Sequence, residues 1–268
     1  MPPIERALLS LPESKTALPF PASGREGYSL LVAFSGGLDS VVLLDALHRL
    51  REKMPHVTAL SAAHVHHGLS ANADTWLTFC ERFCAARAIP FMSRRLTLSQ
   101  KPQTSLEETA RQARRAALRD MAEKTDADTI VLAHHQDDQI ETLLLQLLRG
   151  AGPQGLAAMP VYFPSPANPA PFPKGVSAKP TGVCCSQRER GAKPAFWRPL
   201  LDVPRAALLA YAQAYELEWI EDESNAEIGF KRNFLRHRIL PVLEEGFPAY
   251  RKTLSRAATL QAETAAML

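Results

Sequence analysis

The sequence predicts an α/β fold: a parallel twisted sheet with helices on both faces, followed by a small helical segment at the C-terminal end. Between residues 30 and 149, short apolar runs alternate with stretches of helical periodicity, which is the pattern of strand–helix–strand units. The first apolar run leads directly into a glycine-rich turn and a helix. Because parallel strands present ligand sites at their C-terminal ends, the turns that follow the strands are expected to share one edge of the sheet.

The individual elements follow from periodicity and from turn residues. The predicted strands are short apolar and β-branched runs, at residues 30–34, 57–64, 89–98 and 129–133. The predicted helices have apolar positions three and four residues apart, at residues 4–11, 40–51, 71–87, 105–124, 136–149, 202–215 and 250–268. Residues 217–220 are a candidate short strand. Lys231 begins a further helix, which Pro241 must either kink or restart.

Composition places the chain among ordinary globular proteins. It has 268 residues, 46% hydrophobic and 22% charged, with a net charge of +3, which is too small to indicate a nucleic-acid partner by itself. Four cysteines without a C-x-x-C pair argue against a zinc site and an iron–sulfur cluster. No signal pattern and no long apolar run is present, so we expect a reduced, cytoplasmic protein with no membrane partner.

The turn Ser35–Ser40, which reads SGGLDS, is a candidate anion site. It lies between a strand and a helix, where unpaired N–H groups and the helix dipole favour negative charge. Gly36 and Gly37 allow a phosphate to approach the backbone closely. The spacing is neither that of a Walker A loop nor G-x-G-x-x-G. The alternative interpretation is a serine-capped turn whose glycines serve geometry alone.

A second motif, HHQDDQIET at residues 134–142, follows the fourth predicted strand and begins a helix. On that helix His134, Asp138 and Glu141 lie on one stripe, because they are separated by four and three residues. Carboxylates beside a bound polyphosphate would be repelled by its negative charge, so a further group must relieve that repulsion. They could hold Mg²⁺ against the phosphates or pair with a cationic second substrate. The alternative is that they only complement the helix dipole.

Together these motifs resemble a known family. S-G-G-x-D-S is the loop of the PP-loop ATP pyrophosphatases, and with H-H-x-D-D-x-x-E-T the chain is similar to the tRNA(Ile)-lysidine synthetases. Further segments match that family in order: HVHHGL at 64–69, ARQAR at 110–114, RPLL at 198–201, WIEDESN at 219–225 and RNFLR at 232–236. The resemblance implies an adenine nucleotide alpha hydrolase-like, Rossmann-like fold.

The resemblance also implies a reaction and its residues. ATP would activate the C2 oxygen of the wobble cytidine of tRNA(Ile) as an adenylate, and L-lysine would then displace AMP. Asp39 and Asp138 would be catalytic and would hold Mg²⁺ through ATP. Lysine would be bound by Arg114, Asp138 and Glu141, and tRNA by Arg232 and Arg236. ATP would be bound by Ser35, Gly36, Gly37, Leu38, Asp39, Ser40 and Arg111. Members of the family are often homodimers.

The predicted organisation has three parts: a flexible lead at 1–27, an ATP-binding catalytic domain at 28–220, and at 221–268 a helical linker or the start of a tRNA-binding region. Residues 161–194 are proline-dense and poor in core positions, so they are predicted to form a mobile surface insertion. The histidines at 64–67 are expected to line the adenine or cytidine site rather than to bind a metal.

The main alternative function is a PP-loop enzyme that thiolates tRNA. Such enzymes need catalytic cysteines or a cysteine-ligated cluster near ATP. Cys80 and Cys84 instead lie on the core-facing side of a predicted helix, and Cys184 and Cys185 lie in the insertion. An amide-forming synthetase would need an ammonia source, and no glutaminase segment is visible. A regulatory ATP-binding module without catalysis would not need the acidic motif.

Overall fold

The computed structural model describes residues 2–9, 27–66, 72–96, 106–163, 194–223 and 231–268. The strands in these residues are β1 Tyr28–Ala33, β2 Val57–His66, β3 Phe91–Arg95, β4 Thr129–Val131, β5 Tyr162–Phe163 and β6 Ala195–Trp197. The helices are α1 Pro3–Leu9, α2 Leu38–Leu50, α3 Ala73–Ala85, α4 Leu106–Lys124, α5 Gln136–Leu147, α6 Pro153–Leu156, α7 Arg205–Ala214, α8 Lys231–Phe234, α9 Leu240–Gly246 and α10 Tyr250–Met267.

The strands form one sheet in the order β3-β2-β1-β4-β6-β5. All neighbouring pairs are parallel except β5 and β6, which are antiparallel. Helices cover both faces of the sheet. Alternate residues of a strand point to opposite faces and therefore pack in different hydrophobic cores. Leu30 and Val32 pack with α2, α3 and α7, whereas Leu31 packs with the buried residues of α4. The predicted fold class is confirmed.

Most predicted elements are present with shifted ends. The predicted strand at 217–220 is wrong: the structure has only a single parallel bridge there, between Gly37 and Ile220. Such a bridge still matters, since it ties this segment to the glycine turn. The prediction of a helix from Lys231 is refined, because α8 passes into a π-helical turn at Leu235–Ile239 before α9 starts with Pro241 in its first turn.

Two segments predicted to be flexible or mobile contain short regular elements. The short N-terminal helix exists as α1, and its Ile4 and Leu8 are buried in the core beside α2. The segment predicted as an insertion begins with β5, which pairs with β6, so its first residues belong to the sheet. Tyr162 and Phe163 are aromatic, a residue class enriched in strands, and the Phe163 ring stacks on that of Phe196 with ring centroids 4.9 Å apart. Residues 164–193 and 10–26 lie outside the described residues.

The C-terminal helices pack on the same edge of the sheet as the acidic motif. A small apolar cluster joins Ile140 of α5, Leu240 of α9 and Tyr250 of α10. This packing brings the basic residues of α8, the π-helical turn and α10 towards the start of α5. Nowhere in the described residues does a helix combine the length and the apolar character needed to cross a membrane.

Candidate active site

The glycine turn is held together by the hydroxyl of Ser40. Its Oγ accepts hydrogen bonds from the backbone N–H groups of Ser35 and Gly36, each at 3.2 Å, and donates to the Gly37 carbonyl at 3.0 Å. Ser35 Oγ lies 3.1 Å from Ser40 Oγ. The N-cap of α2 is Gly37, which has no side chain to cap the first helical turn. The N–H groups of that turn are therefore oriented for an anionic ligand.

Gly36 is required by backbone geometry and by close packing. Its φ is +86°, in the region that glycine adopts readily and other residues do not. A Cβ placed there would lie 2.6 Å from Ile220 Cδ1 and 3.1 Å from Cys80 Sγ. Ile220 also donates its N–H to the Gly36 carbonyl at 2.9 Å. The turn thus rests on the segment around Ile220, a contact that the sequence did not predict.

The acidic motif is ordered by a capping box at the start of α5. The N-cap is His135, whose Nδ1 accepts from the Asp137 N–H at 3.2 Å, while Asp138 Oδ2 accepts from the His135 N–H at 3.0 Å. Asp138 is therefore fixed by the helix start itself. Burial opposes its ionisation, but the histidines and the backbone bond outweigh burial and lower the pKa of Asp138.

One imidazole connects the two motifs. His135 Nε2 lies 3.6 Å from Asp39 Oδ2 of the glycine turn and 3.5 Å from Asp138 Oδ2 of the acidic motif. His135 is buried, which opposes its charging, yet the two carboxylates outweigh this and raise its pKa. Asp39 and Asp138 are thus brought to the same ring nitrogen, as expected if the ends of β1 and β4 share an edge of the sheet.

Glu141 is fully buried and is held by two arginines from the C-terminal helices. Arg236 Nε lies 2.7 Å from Glu141 Oε1, and Arg236 Nη2 lies 3.6 Å from Asp138 Oδ1. Arg232 Nε is 3.7 Å from Glu141 Oε2, and its Nη2 donates to Thr142 Oγ1 at 2.8 Å. Burial raises the pKa of Glu141, and the Arg236 ion pair offsets only part of that effect.

Two carboxylate oxygens in this region are buried without a hydrogen-bond partner among the described residues: Asp39 Oδ1 and Glu141 Oε2. Buried carboxylate oxygens are normally paired, so an unpaired one indicates a missing cation or donor. One such oxygen lies in each motif. The orphaned oxygen of Asp39 fits a divalent cation, whereas Glu141 Oε2 already has the guanidinium of Arg232 3.7 Å away and is matched by a cationic side chain.

The structure also places residues that the sequence did not assign to the site. Asp137, which flanks the predicted stripe, is bonded to Arg251 of α10 at 2.9 Å. Arg198, noted only as part of a matching segment, donates from Nε to His134 Nδ1 at 3.2 Å and is 3% exposed. The sequence position of Arg198 could have predicted its place in the site, because it directly follows an apolar strand and parallel sheets carry functional groups at the ends of their strands.

The other predicted site residues are less closely gathered. Arg111 and Arg114 are exposed on α4. The carboxylate of Asp222 is close enough to Arg114 for its negative charge to stabilise the guanidinium. The positive charge of Arg111 is among the smaller causes, after burial, that lower the pKa of His134. His64 Nδ1 lies 2.9 Å from the Phe34 carbonyl and His66 Nε2 lies 3.2 Å from Asp74, while His67 falls outside the described residues. Within the described part of the chain, no group of three potential ligands has metal-binding geometry.

Comparison with known proteins gives consistent results. The PP-loop domain family matches residues 11–243. The tRNA(Ile)-lysidine synthase of Chromobacterium violaceum is 44% identical over 241 residues, which are 90% of this chain and 48% of that protein. The enzymes of the same name from Nitrosomonas europaea and Aromatoleum aromaticum are 43% and 46% identical, over 92% and 85% of this chain and 48% and 46% of their own. The chain therefore spans about half the length of these curated relatives.

A solved structure shows the same fold at low sequence similarity. The U34-tRNA thiolase NcsA from Methanococcus maripaludis, with its [4Fe-4S] cluster, superposes with a TM-score of 0.67 at 17% identity. The match covers 89% of this chain and 74% of that one. A likeness at this identity concerns the fold alone. With the family match over most of its length and the SGGLDS turn at its centre, the chain belongs to the PP-loop family.

Proposed function

We propose that this chain carries the catalytic part of a tRNA(Ile)-lysidine synthetase, a ligase that joins L-lysine to C2 of the wobble cytidine in the CAU anticodon and converts ATP to AMP and pyrophosphate. The observation that carries the proposal is the contact of His135 with both Asp39 and Asp138. It joins a phosphate-type turn to an acidic cluster. The relatives with that name share 43% to 46% identity with most of the chain.

The nucleotide is assigned to the turn Ser35–Ser40. Its backbone N–H groups and the start of α2 would bind the pyrophosphate of ATP, with Arg111 as a further phosphate ligand. Asp39 Oδ1, which is buried and has no hydrogen-bond partner among the described residues, suits Mg²⁺. Mg²⁺ would neutralise charge on the departing pyrophosphate. Asp138, which contacts the same histidine as Asp39, would be a second carboxylate able to hold this ion.

The lysine is assigned to the acidic cluster. A guanidinium already lies between Glu141 and Asp138, which supports the view that this space accepts a cation. Glu141 Oε2 has no hydrogen bond and only the 3.7 Å ion pair with Arg232, so a lysine amine would bind it by displacing Arg232 while Arg236 keeps Oε1. Arg114 is the proposed partner of the lysine carboxylate.

Two displacement steps make up the proposed reaction, and in each step one bond forms and one breaks. The C2 oxygen of cytidine attacks the α-phosphorus, and the bond to pyrophosphate breaks. The lysine ε-nitrogen then bonds to C2, and the C2–O bond to AMP breaks, so that the oxygen leaves with AMP. The second step needs the amine in its neutral form. Because burial raises the pKa of Glu141, this carboxylate is suited to accept a proton from the bound ammonium.

Binding of tRNA is assigned to the C-terminal helices. Arg232 and Arg236, predicted as tRNA ligands, point their charges towards the acidic cluster, so their contact with tRNA would occur where the cytidine enters. Several further basic residues of these helices are exposed: Lys231, His237, Arg238, Lys252 and Arg256. Such residues supply salt-dependent affinity for phosphates. A dimer and a cytoplasmic location remain predictions.

Thiolation of tRNA is the weaker candidate. Cys80 and Cys84 are buried in the core, and burial raises the pKa of both thiols, which disfavours the reactive thiolate. The curated relatives are named for lysidine formation and not for sulfur transfer. Cys184 and Cys185 lie outside the described residues.

The test is mass analysis of the isoleucine tRNA anticodon after incubation with this chain, ATP and lysine. We expect the cytidine to gain the mass of lysine less one water, with pyrophosphate released. Asp39→Asn and Asp138→Asn should abolish the gain, whereas the exposed Asp202→Asn is a matched control that should keep it. A gain that depends on sulfide instead of lysine, or one that survives in both variants, would contradict the proposal.

A further inference from the structure

His134 and Arg198 meet because neighbouring parallel strands end at the same edge of the sheet. Val131 of β4 is in register with Trp197 of β6. Arg198 is the first residue after β6, and His134 follows β4 closely. At this edge Arg198 Nε donates to His134 Nδ1 at 3.2 Å. This contact involves none of the groups that the sequence assigned to ATP, lysine or tRNA.

Arg198 is held in place on every side. Its Nη1 donates to the Pro160 carbonyl at 2.7 Å, and its backbone N–H donates to the Val161 carbonyl at 2.7 Å. Its guanidinium carbon lies 4.6 Å from the centre of the Phe163 ring, which gives a cation–π contact. With only 3% of the residue exposed, Arg198 is a fixed donor. A fixed donor imposes its hydrogen-bond direction on the neighbouring ring.

The chemistry of the two groups determines where the histidine proton lies. A guanidinium has donors and no acceptor, so His134 Nδ1 must be the unprotonated nitrogen. In the neutral ring the proton is then on Nε2. Burial, together with the charges of Arg198, Arg232 and Arg111, lowers the pKa of His134 to about 4, against the opposing effect of Asp138. The ring is therefore neutral near pH 7.

We propose that Arg198 is a positioning residue that fixes His134 as the neutral tautomer with its proton on Nε2, so that His134 offers the site a hydrogen-bond donor and not a base. The role of this donor rests on the proposed function: its partner would be an oxygen of the bound nucleotide, such as a phosphate oxygen of the adenylate. His135 differs, since its Nε2 already faces the carboxylates of Asp39 and Asp138.

The first test measures the tautomer without any substrate. The chain is labelled with ¹⁵N-histidine, long-range ¹H–¹⁵N correlations are recorded near pH 7, and the His134 signals are assigned by their loss in His134→Gln. We expect an unprotonated Nδ1 and a protonated Nε2. Arg198→Met should mix the tautomers, while Arg198→Lys, which keeps a cationic donor, should restore part of the wild-type pattern.

Two results of this test would overturn the inference. One is a wild-type ring that is protonated on Nδ1 or on both nitrogens, a result that needs no variant to fold. The other is an Arg198→Met spectrum identical to that of the wild type. Neither result bears on whether the chain ligates lysine, so the inference and the proposed function can fail separately.

The second test uses substitutions that imitate one ring nitrogen each. The amide of glutamine reaches the position of Nε2, and the amide of asparagine reaches only that of Nδ1. If the chain needs a donor at Nε2, His134→Gln should retain at least about tenfold more activity than His134→Asn in the anticodon mass assay, because one donor to a developing charge is worth at least that factor. Equal loss in both variants would overturn the donor role.

Discussion

The glycine turn and the acidic motif form one site, yet they are built in different ways. In the turn the contacts are short in sequence: Ser35 and Ser40, five residues apart, hold it together with neutral hydroxyl and backbone groups. In the acidic motif a local capping box fixes Asp138, but the ion pairs are long-range: Glu141 is paired with Arg236, 95 residues away, and Asp137 with Arg251, 114 residues away. The first region depends on local backbone geometry, and the second on charges delivered by distant helices.

This difference determines which substitutions should destabilise each region. A turn made of hydrogen bonds and a positive φ is sensitive to the shape of one residue. A cluster of buried charges is sensitive to the loss of a partner, because an unpaired charge cannot easily remain in the interior. The following predictions separate the two regions, and they run from the largest effect to the smallest, with the pH effect counted per pH unit.

The largest effect is expected in the acidic motif. Glu141→Gln removes the fully buried countercharge of Arg236 and Arg232 and leaves Arg236 only its 3.6 Å contact with Asp138. Unfolding free energy should fall by about 3 kcal/mol, the lower part of the range for breaking a buried pair, since both arginines retain some exposure and Arg236 keeps one partner. Urea titration followed by circular dichroism measures this. The matched control is Glu245→Gln on α9, which is exposed and should change stability by less than about 0.5 kcal/mol.

A double substitution sharpens the same point. Adding Arg236→Met to Glu141→Gln removes one of the two guanidinium charges that lost Glu141, so part of the lost stability should return. If the two losses simply add, the pair is not coupled and the acidic motif does not depend on the distant helix. That outcome would remove the contrast with the glycine turn.

The second effect concerns Gly36 in the turn. Gly36→Ala forces a non-glycine residue to φ +86° and places a Cβ 2.6 Å from Ile220 Cδ1. We expect a loss of about 2 kcal/mol and weaker ATP binding, measured by urea titration and by calorimetry. Gly150→Ala is the matched control: its φ is +71° with nothing within 4 Å of the new Cβ, so it should show backbone strain of about 1 kcal/mol and unchanged ATP binding.

The contribution of Ile220 can be separated from backbone strain. Combining Gly36→Ala with Ile220→Val removes the Cδ1 atom that meets the new methyl group, so ATP binding should recover in part while the strain remains. If Gly36→Ala binds ATP as the wild type does, the turn tolerates a change of shape and its geometry is not what limits the ligand.

The same contrast explains what could be predicted from sequence. The turn and the strand–helix alternation were predictable, because they depend on glycine, on hydroxyls and on periodicity within a few residues. The nearness of Asp39 and Asp138 was also predictable, since parallel strands end at one edge. The wrong prediction of a strand at 217–220 shows where local sequence patterns stop being informative. Ile220 forms a single bridge to Gly37, and no local pattern distinguishes a bridge from a strand.

The arginines were not predictable, and for a physical reason. Their long side chains can reach in many directions, so the partner is set by how distant helices pack. Arg232 and Arg236 were expected on a tRNA surface, whereas their charges lie against Glu141. Arg198 was seen only as part of a matching segment. What makes it a fixed donor is its position between Phe163, Pro160 and His134, which no sequence pattern shows.

The third effect is a pH dependence that belongs to the acidic motif. His134 has a folded-state pKa lowered to about 4, against 6.5 in the unfolded chain. Below pH 6.5 the unfolded chain takes up a proton that the folded protein does not, so stability should be lost as the pH falls from about 6.5 to 4, by up to about 1.4 kcal/mol per pH unit. Above pH 6.5 this histidine should contribute no slope.

The measurement is unfolding free energy at several pH values for wild type and His134→Gln, which cannot titrate. The difference between the two curves should change in this window and stay flat between pH 7 and 8. A difference that is constant from pH 7 to 4 would mean that His134 titrates alike in both states. A substitution in the glycine turn provides the comparison: Ser40→Ala removes no titratable group, so it should shift the curve without changing its slope.

The smallest effect is expected at Cys80, where the two candidate functions differ most. Cys80 is fully buried, its Sγ lies beneath the glycine turn, and burial raises its pKa, so it should play no part in the chemistry. Cys80→Ser buries a hydroxyl and should cost about 1 kcal/mol of stability, while lysine-dependent mass gain on the tRNA stays within about twofold. Cys84→Ser, one helical turn away, controls for burying a hydroxyl on α3. Loss of activity in Cys80→Ser alone, with the fold intact by circular dichroism, would favour sulfur chemistry beside the turn and would contradict the assignment to lysine ligation.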